Sequence, residues 1–328
     1  MHPILFYIPT PWGSLPIFSY GVMLGTSLII AWYLVMWLGT TCERLDREMM
    51  ANCFIVTAVA AIAGARILYI VTNPGEFPDA RSWLALRSGG LVAYGGFIGG
   101  FFGSLAYLRA RKQALLPWAD VVAPTLATGL LFTRIGCYLF GCDFGQRLLP
   151  SAPSWLRRWG TFPHWDFHAS PTLACANMPN GAPAFNHHVQ QYHLAESAHF
   201  SLPVHPTQLY ESAAGLVLFG MTMFVWHKRK FRGQPLLVLV IGYSAWRFLI
   251  EFLRDDPERG GAFNYSTSQL ISLALLPLGI FFYVVWNKRA RDAGYPTVPN
   301  LSSPPPADLA PALTASAAPK PKPKQKKR

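Results

Sequence analysis

Long apolar tracts recur along the chain, and charged residues are almost excluded from them. A tract of about 20 apolar residues is long enough to cross a hydrocarbon core of about 30 Å as a helix. Tracts that approach this length cover residues 16–38, 51–72, 90–108, 117–140, 208–227, 235–253 and 267–286. The pattern predicts an all-α, polytopic membrane protein with about seven transmembrane helices, in one integral domain over residues 1–291.

Basic residues concentrate in the turns that follow the first, third and fifth tracts. These turns contain Arg44, Arg47, Arg109, Arg111, Lys112, Lys228, Arg229, Lys230 and Arg232. Short loops rich in Lys and Arg remain on the cytoplasmic side of a membrane. The alternation predicts an N-terminus outside and a C-terminus in the cytoplasm. The start of the chain lacks the features of a cleavable signal peptide, so we expect the first tract to act as a signal-anchor.

The composition excludes a soluble globular enzyme, because 52% of the residues are hydrophobic and only 13% are charged. The formal net charge of +12 lies largely in the basic turns and in the final run KPKPKQKKR. We interpret it as setting the topology and contacting the headgroups of membrane lipids, and we expect no nucleic acid partner. Residues 292–328 are rich in Pro, Ala and Lys and are predicted to form a disordered, basic cytoplasmic tail.

One polar segment, residues 145–205, is predicted to be a periplasmic loop insertion. It contains most of the histidines: His164, His168, His187, His188, His193, His199 and His205. Histidine is a common metal ligand, but the spacings match no ligand pattern, so we expect no metal site. The cysteines, Cys42, Cys53, Cys137, Cys142 and Cys175, fit neither a zinc site nor a secreted disulfide framework.

Ionisable residues within the apolar tracts are costly and therefore indicate a partner, a cavity or a function. Arg66 lies in the second tract and Arg134 in the fourth. The segment HPTQLYES opens the fifth and places His205, Gln208, Tyr210 and Glu211 near one helix start. In the sixth, Arg247, Glu251 and Arg254 have i, i+4 and i+7 spacing, which predicts one shared helix face.

These arginines outnumber the carboxylates Glu211 and Glu251. Neutralisation of Arg247 by Glu251 explains one pair but leaves the other arginines unexplained. If the arginines converge, their cavity has a net positive charge, and guanidinium groups are suited to bidentate capture of phosphate. The third tract also contains glycine pairs at 89–90, 95–96 and 99–100, which favour close helix packing or close approach of a lipid headgroup.

Between about Tyr20 and Arg254 the sequence resembles the bacterial prolipoprotein diacylglyceryl transferases. The segment HPTQLYES is similar to the family's His-Pro-Ser-Gln-Leu-Tyr-Glu element, and YSAWRFLIEFLRDD to its Tyr-Gly-x-x-Arg-x-x-x-Glu-x-x-Arg element. The run RIGCYLFGCDFG resembles the signature Gly-Arg-x-Gly-Asn-Phe-x-Asn-Gly-Glu-x-x-Gly, and the second tract resembles a Gly-Gly-Arg-Ile-Gly-Tyr stretch.

The resemblance implies transfer of the diacylglyceryl group of phosphatidylglycerol to the lipobox cysteine thiol of preprolipoprotein signal peptides, in the bacterial inner (cytoplasmic) membrane. It implies no cofactor. The residues expected to be catalytic are Arg134, Arg247, Tyr94 and Glu251. The residues expected to bind substrate are Tyr20, Arg66, Gly95, Gly96, Cys137, Asp143, Gly145, His205, Gln208, Tyr210, Glu211 and Arg254.

The sequence departs from the family's pattern at several polar positions. Tyr94 replaces the histidine of a His-Gly-Gly element, and a tyrosine with a pKa near 10 is a poorer base than histidine. Cys137 stands at the signature asparagine, and Cys142 at the acidic position, with Asp143 one place later. The two cysteines are open to three interpretations: a disulfide, two inert thiols or a redox-active pair.

Three functions are compatible with these patterns. The first is the transferase, in which His205 and Tyr94 are the candidates for deprotonating the thiol. The second is a non-catalytic phosphatidylglycerol-binding paralogue, which the changed histidine and asparagine positions make plausible. The third is an anion transporter or channel, which the family motifs and the lack of an evident internal repeat disfavour.

Overall fold

The computed structural model describes residues 1–11, 13–76, 83, 90–165, 180–255, 261–262 and 265–295. The helices are α1 (Ser19–Thr41), α2 (Arg47–Thr72), α3 (Ala93–Ala110), α4 (Leu115–Phe140), α5 (Ser154–Trp159), α6 (Pro183–Tyr192), α7 (Thr207–Lys228), α8 (Gln234–Ile250) and α9 (Thr267–Asp292). Two short antiparallel hairpins join β1 (Ile4–Thr10) to β2 (Gly13–Phe18) and β3 (Gly261–Ala262) to β4 (Tyr265–Ser266). The predicted helical class is confirmed, whereas the N-terminal hairpin was not predicted. The predicted disordered tail lies outside the described residues from position 296 onward.

Within the described residues, six helices are long and apolar enough to cross a membrane: α1, α2, α4, α7, α8 and α9. Helix α3 coincides with the third predicted tract but is not one of them. Its 18 residues rise about 27 Å, slightly less than a hydrocarbon core, and its glycines dilute its apolar character. The described residues thus contain six candidate membrane-spanning helices beside the predicted count of about seven, and a crossing by α3 stays a prediction.

Helix α4 is the centre of the helix bundle. It packs against α1, α7 and α8, whereas α2 packs mainly against α3 and α9 against α8. Half of the most apolar stretch of α4 is buried in the protein, compared with 11% for α2. Polar side chains on α4 are therefore shielded from lipid, which makes its contacts with α7 and α8 the place for an internal polar site.

The glycines of α3 bring its backbone against α2. A Cβ atom at Gly95 would lie 2.7 Å from the Cβ of Leu68, and one at Gly99 would lie 3.0 Å from the Cα of Gly64 and closer still to the carbonyl oxygen of Ala60. Distances this short cannot be tolerated, so only glycine permits this approach. Close helix packing thus explains Gly95 and Gly99, while a Cβ atom at Gly96 would make only ordinary contacts of 3.6 Å or more.

A second group of charged residues joins the turn after α1, the first turns of α4 and the turn after α7 at one end of the bundle. Arg229 pairs with Glu43 and with Asp120, at 3.2 Å from the latter, and all three side chains are fully buried. Asp120 also accepts the backbone N–H groups of Gly233 at 2.6 Å and Leu236 at 3.2 Å, which caps the start of α8. The basic turns after α1, α3 and α7 therefore lie at the same end of the bundle, as the alternation of basic turns along the sequence requires. Which compartment this end faces stays a prediction.

The insertion after α4 has a small core of its own, although its sequence shows no sustained apolar period. Its buried residues are Phe144, Phe162, Ala182, Ala184, Phe185 and Val204. Isolated backbone bridges join Arg147 to Val204 and Pro163 to Phe200. These contacts link distant positions, so the core could not be detected from local periodicity. The assignment of residues 145–205 as a periplasmic insertion remains a prediction. His168 and Cys175, which belong to this segment, lie outside the described residues.

We expect Gly99→Ala to destabilise the protein, because the added methyl group would force α2 and α3 apart. Overpacking of this kind costs about 1–3 kcal/mol. Thermal unfolding of the detergent-solubilised protein would measure the loss. The matched control is Gly220→Ala in α7, where an added Cβ has nothing within 4 Å; this change should be neutral or slightly stabilising. Equal midpoints for the two variants would contradict the packing account.

Candidate functional site

The Glu211 carboxylate in the first turns of α7 contacts the guanidinium groups of three arginines. Its Oε2 lies 2.5 Å from Nε of Arg134, and its Oε1 lies 3.0 Å from Nη1 of Arg247. Nη1 of Arg254 lies 3.7 Å from the same Oε1. Glu211 is 1% exposed. A single buried carboxylate therefore holds together guanidinium groups from α4 and from the end of α8.

Asp143, in the loop after α4, bridges two of the same arginines. Its Oδ2 lies 2.7 Å from Nη1 of Arg134, and its Oδ1 lies 2.5 Å from Nη2 of Arg254. Burial by itself would raise the pKa of Asp143, but the positive charges of Arg134 and Arg254 outweigh burial and hold that pKa well below its ordinary value. Asp143 is therefore ionised and is a poor proton acceptor.

The predicted pairing of Arg247 with Glu251 is confirmed by a distance of 3.0 Å between Nη1 and Oε2. The prediction that Arg254 continues the same helix is wrong. Helix α8 ends at Ile250, Glu251–Leu253 form a 3₁₀ turn, and Arg254 has extended backbone angles. Arg254 still reaches Glu211 because the extended backbone turns it toward α7.

The charge balance also differs from the prediction. We define the arginine cluster as Arg134, Arg247 and Arg254 with Glu211, Glu251 and Asp143. The formal charges of this cluster cancel, because Asp143 adds a third carboxylate to Glu211 and Glu251, the two counted from the sequence. The predicted net positive charge is therefore wrong for these residues. Glu211 and Asp143 are each shared among arginines rather than paired one to one, so one contact can be exchanged without isolating a charge.

Tyr94 is connected to the arginine cluster through a serine that was not predicted. The Tyr94 hydroxyl donates to Ser268 Oγ at 2.9 Å, and Nη2 of Arg247 donates to the same oxygen at 3.0 Å. Ser268 lies in the first turn of α9, which Ser266 and Gln269 close with a reciprocal capping box. That capping pattern was readable from the sequence, whereas the contact with Tyr94, 174 positions away, was not.

The start of α7 fixes the loop that presents Asp143. Gln208 donates through Nε2 to the carbonyl oxygen of Cys142 at 2.5 Å, and the Thr207 hydroxyl donates to that of Asp143 at 2.7 Å. Gly145 donates its N–H to the carbonyl of His205 at 3.0 Å and forms a bridge with Arg254. A Cβ at Gly145 would lie 2.6 Å from the Leu253 carbonyl oxygen, so glycine permits this crossing. Thr207 was not singled out in the sequence.

Tyr20, in the first turn of α1, packs directly on α4 beside Arg134 and Cys137. A Cβ at Gly136 would lie 3.0 Å from the Tyr20 ring and 3.2 Å from its Cα. The Tyr20 side chain is 40% exposed, and its role in binding substrate stays a prediction.

Arg66 and the His205–Tyr210 pair have other described partners. Arg66 is 6% exposed and donates to the carbonyl oxygens of Trp83 at 2.9 Å and Gly90 at 3.0 Å. His205 Nδ1 lies 3.4 Å from the Tyr210 hydroxyl, and burial lowers the pKa of His205, which favours a neutral imidazole. A role for these residues in binding substrate stays a prediction.

The helices and the arginine cluster define a multi-pass membrane protein with a buried site built from shared guanidinium and carboxylate groups. The profile of the prolipoprotein diacylglyceryl transferase family matches residues 3–285. The chain therefore belongs to this family, and the family predicted from the sequence is confirmed.

Individual relatives agree with this assignment. Over 279 residues the chain is 32% identical to phosphatidylglycerol–prolipoprotein diacylglyceryl transferase 2 of Clostridium perfringens, covering 85% of this chain and 94% of that protein. It is 28% identical to the phosphatidylglycerol–prolipoprotein diacylglyceryl transferase of Clostridium tetani, over 86% of this chain and 97% of the relative. The similarly named protein of Psychrobacter arcticus is 28% identical over 88% of this chain and 96% of its own length.

We expect Glu211→Gln to destabilise the protein, because it leaves the arginines of the cluster with too few carboxylates. Breaking a buried ion pair costs about 3 kcal/mol, which lowers a thermal midpoint by several degrees. The exposed Glu196→Gln is the control. An unchanged midpoint for Glu211→Gln would contradict the shared role of Glu211.

Proposed function

We propose that this protein transfers the diacylglyceryl group of phosphatidylglycerol to the lipobox cysteine of preprolipoproteins in the bacterial inner membrane. The observation that supports the proposal most strongly is the contact of Glu211 with guanidinium groups from two separate helices. In this reaction the cysteine sulfur forms a thioether bond to the glyceryl carbon. The carbon–oxygen bond to phosphate breaks, glycerol phosphate leaves with an additional negative charge, and the thiol proton is released.

Arg134, Arg247 and Arg254 are proposed to hold the phosphate and to stabilise that additional charge. A guanidinium group has five N–H donors, and the Glu211 and Asp143 contacts of Arg134 use only Nε and Nη1. A phosphate oxygen can therefore bind beside the carboxylates or replace one of their contacts. Fixed donors in a shielded site stabilise developing charge more effectively than water does.

Tyr94 and Ser268 are proposed to link proton transfer to the arginine cluster that binds the phosphate. The Tyr94 hydroxyl already donates to Ser268, whose oxygen also accepts from Arg247. A single serine hydroxyl therefore separates the Tyr94 phenol from the Arg247 guanidinium. His205 is the other candidate base; its described ring contact is with Tyr210. Glu251 would hold Arg247 in place.

The test uses the purified full-length protein in phosphatidylglycerol vesicles with a lipobox peptide. We expect the peptide to gain a diacylglyceryl mass and an equal amount of glycerol phosphate to be released. Arg247→Ala should lower the rate about a hundredfold, and Arg247→Lys should recover part of it because lysine restores charge but not the guanidinium geometry.

Arg291→Ala is the matched control, since Arg291 is exposed at the end of α9. Its rate should equal that of the wild type. Binding of phosphatidylglycerol without any product would favour the non-catalytic paralogue. An undiminished rate for Arg247→Ala would contradict the proposed binding of the phosphate by Arg247.

Substitutions of Tyr94 separate proton handling from packing. Tyr94→Phe should lower turnover because it removes the donor to Ser268, while Tyr94→His should preserve or raise it. The histidine variant should also acquire a pH dependence near pH 6.5, with activity lost as the imidazole becomes protonated. The rate would be measured between pH 5.5 and about 8.5. A severe loss for Tyr94→His with normal expression and thermal stability would contradict proton handling at this position.

A further inference from the structure

Cys137 and Cys142 lie together at the end of α4 because the chain reverses between them. Gly141 has φ of +82° and closes the helix in the left-handed conformation. The carbonyl oxygen of Cys137 accepts the N–H groups of both Gly141, at 2.7 Å, and Cys142, at 3.2 Å. The backbones of the two cysteines are therefore held side by side.

Their side chains are also close. The sulfur atoms of Cys137 and Cys142 and one carboxylate oxygen of Asp143 all lie within 4.8 Å of one another. A disulfide requires the sulfur atoms to approach to about 2.05 Å, with the Cα atoms about 4.4–6.8 Å apart. Both cysteines are free thiols in this structure. Because the N–H of Cys142 is already bonded to the carbonyl of Cys137, rotation of the side chains is the movement by which the sulfur atoms would approach.

A metal ion is a weaker explanation for this group. The two oxygens of Asp143 already lie 2.7 Å from Arg134 and 2.5 Å from Arg254. A metal would have to displace those guanidinium groups, and two thiols alone do not complete a tetrahedral site. The geometry therefore favours a bond between the two sulfur atoms.

We propose that Cys137 and Cys142 form a disulfide in the folded protein, which fixes the loop that presents Asp143 to the arginine cluster. The bond forms by exchange with the disulfide of an oxidised thiol carrier, either a protein or a small molecule. Two cysteine thiols become one disulfide, and the carrier takes up two electrons and two protons to become two thiols. The exchange requires an oxidising compartment, as expected for the predicted outer end of α4.

The surroundings indicate when the bond forms. A hydrogen bond with Cys137 and burial raise the pKa of the Cys142 thiol well above its ordinary value. Since the thiolate is the attacking species, exchange is slow once the loop is packed. Formation during folding, before the loop is buried, is therefore favoured over switching of the mature protein.

The disulfide would act on the site through the same loop. The Cys142 carbonyl accepts from Gln208, and the next residue, Asp143, pairs with Arg134 and Arg254. Cys137 and Cys142 are thus positioning residues. Only this effect on activity rests on the proposed function, because the existence of the bond is measured without turnover.

The decisive measurement is thiol mapping of the full-length protein in membranes. Free thiols are alkylated with N-ethylmaleimide in denaturant without a reductant, and the chain is then cut with trypsin. Cleavage after Arg134 and Arg147 gives one peptide that contains both cysteines and no other. We expect this peptide to be unalkylated and two hydrogens lighter than the dithiol, and to take up two labels only after reduction.

Controls distinguish the other outcomes. Cys42 and Cys53 should be alkylated without reduction, since they lie in a separate hydrophobic cluster. Two labels on the Ile135–Arg147 peptide without reduction would overturn the proposal. Release of the thiols by a metal chelator instead of a reductant would also overturn it.

Variants test the positioning role. Cys137→Ser with Cys142→Ser should lower the thermal midpoint and reduce transfer several-fold, and reduced wild type should match this double variant. Cys42→Ser should leave transfer unchanged. A double variant with wild-type midpoint and rate would contradict the positioning role. Inactive wild type with an intact disulfide would instead count against the proposed function alone.

Discussion

The structure depends on one electrostatic constraint: arginines buried between membrane-spanning helices must share carboxylates. An isolated charge in an apolar environment costs several kcal/mol, and partner charges on neighbouring helices offset that cost. Glu211 meets this requirement for guanidinium groups on α4 and at the end of α8, and Asp143 and Glu251 complete the charge balance. The same contacts that permit burial also fix how these helices pack around α4.

The sharing of carboxylates between arginines affects how the arginine cluster could bind an anion. If every arginine had its own carboxylate, an incoming phosphate would have to break a complete ion pair. In the arginine cluster each of Arg134 and Arg247 contacts more than one carboxylate, so an anion can replace one contact while another remains. At the other end of the bundle Glu43 and Asp120 also share contacts, since Arg229 pairs with both and Arg232 pairs with Glu43. That group differs in that Asp120 also accepts two backbone N–H groups and so fixes the start of α8.

The sequence was informative where function depends on local spacing or on a charge within an apolar tract. The i, i+4 spacing identified Arg247 with Glu251, and the apolar surroundings identified Arg134 and Glu211. Asp120 was missed although it also lies in an apolar tract. The predicted positive cavity failed because Asp143 is placed by a turn at Gly141 rather than by helix periodicity. The bridge from Tyr94 through Ser268 joins residues far apart in the chain, and no local pattern encodes such a contact.

We propose that the arginine cluster binds one lipid phosphate while Glu211 remains its shared partner. A structure of the protein solved in nanodiscs that contain phosphatidylglycerol would show whether it does. We expect a headgroup phosphate within hydrogen-bonding distance of Arg134 and Arg247, with Glu211 still in contact with at least one of them. Well-ordered lipid phosphates found only elsewhere, with all the ion pairs of the arginine cluster unchanged, would contradict it.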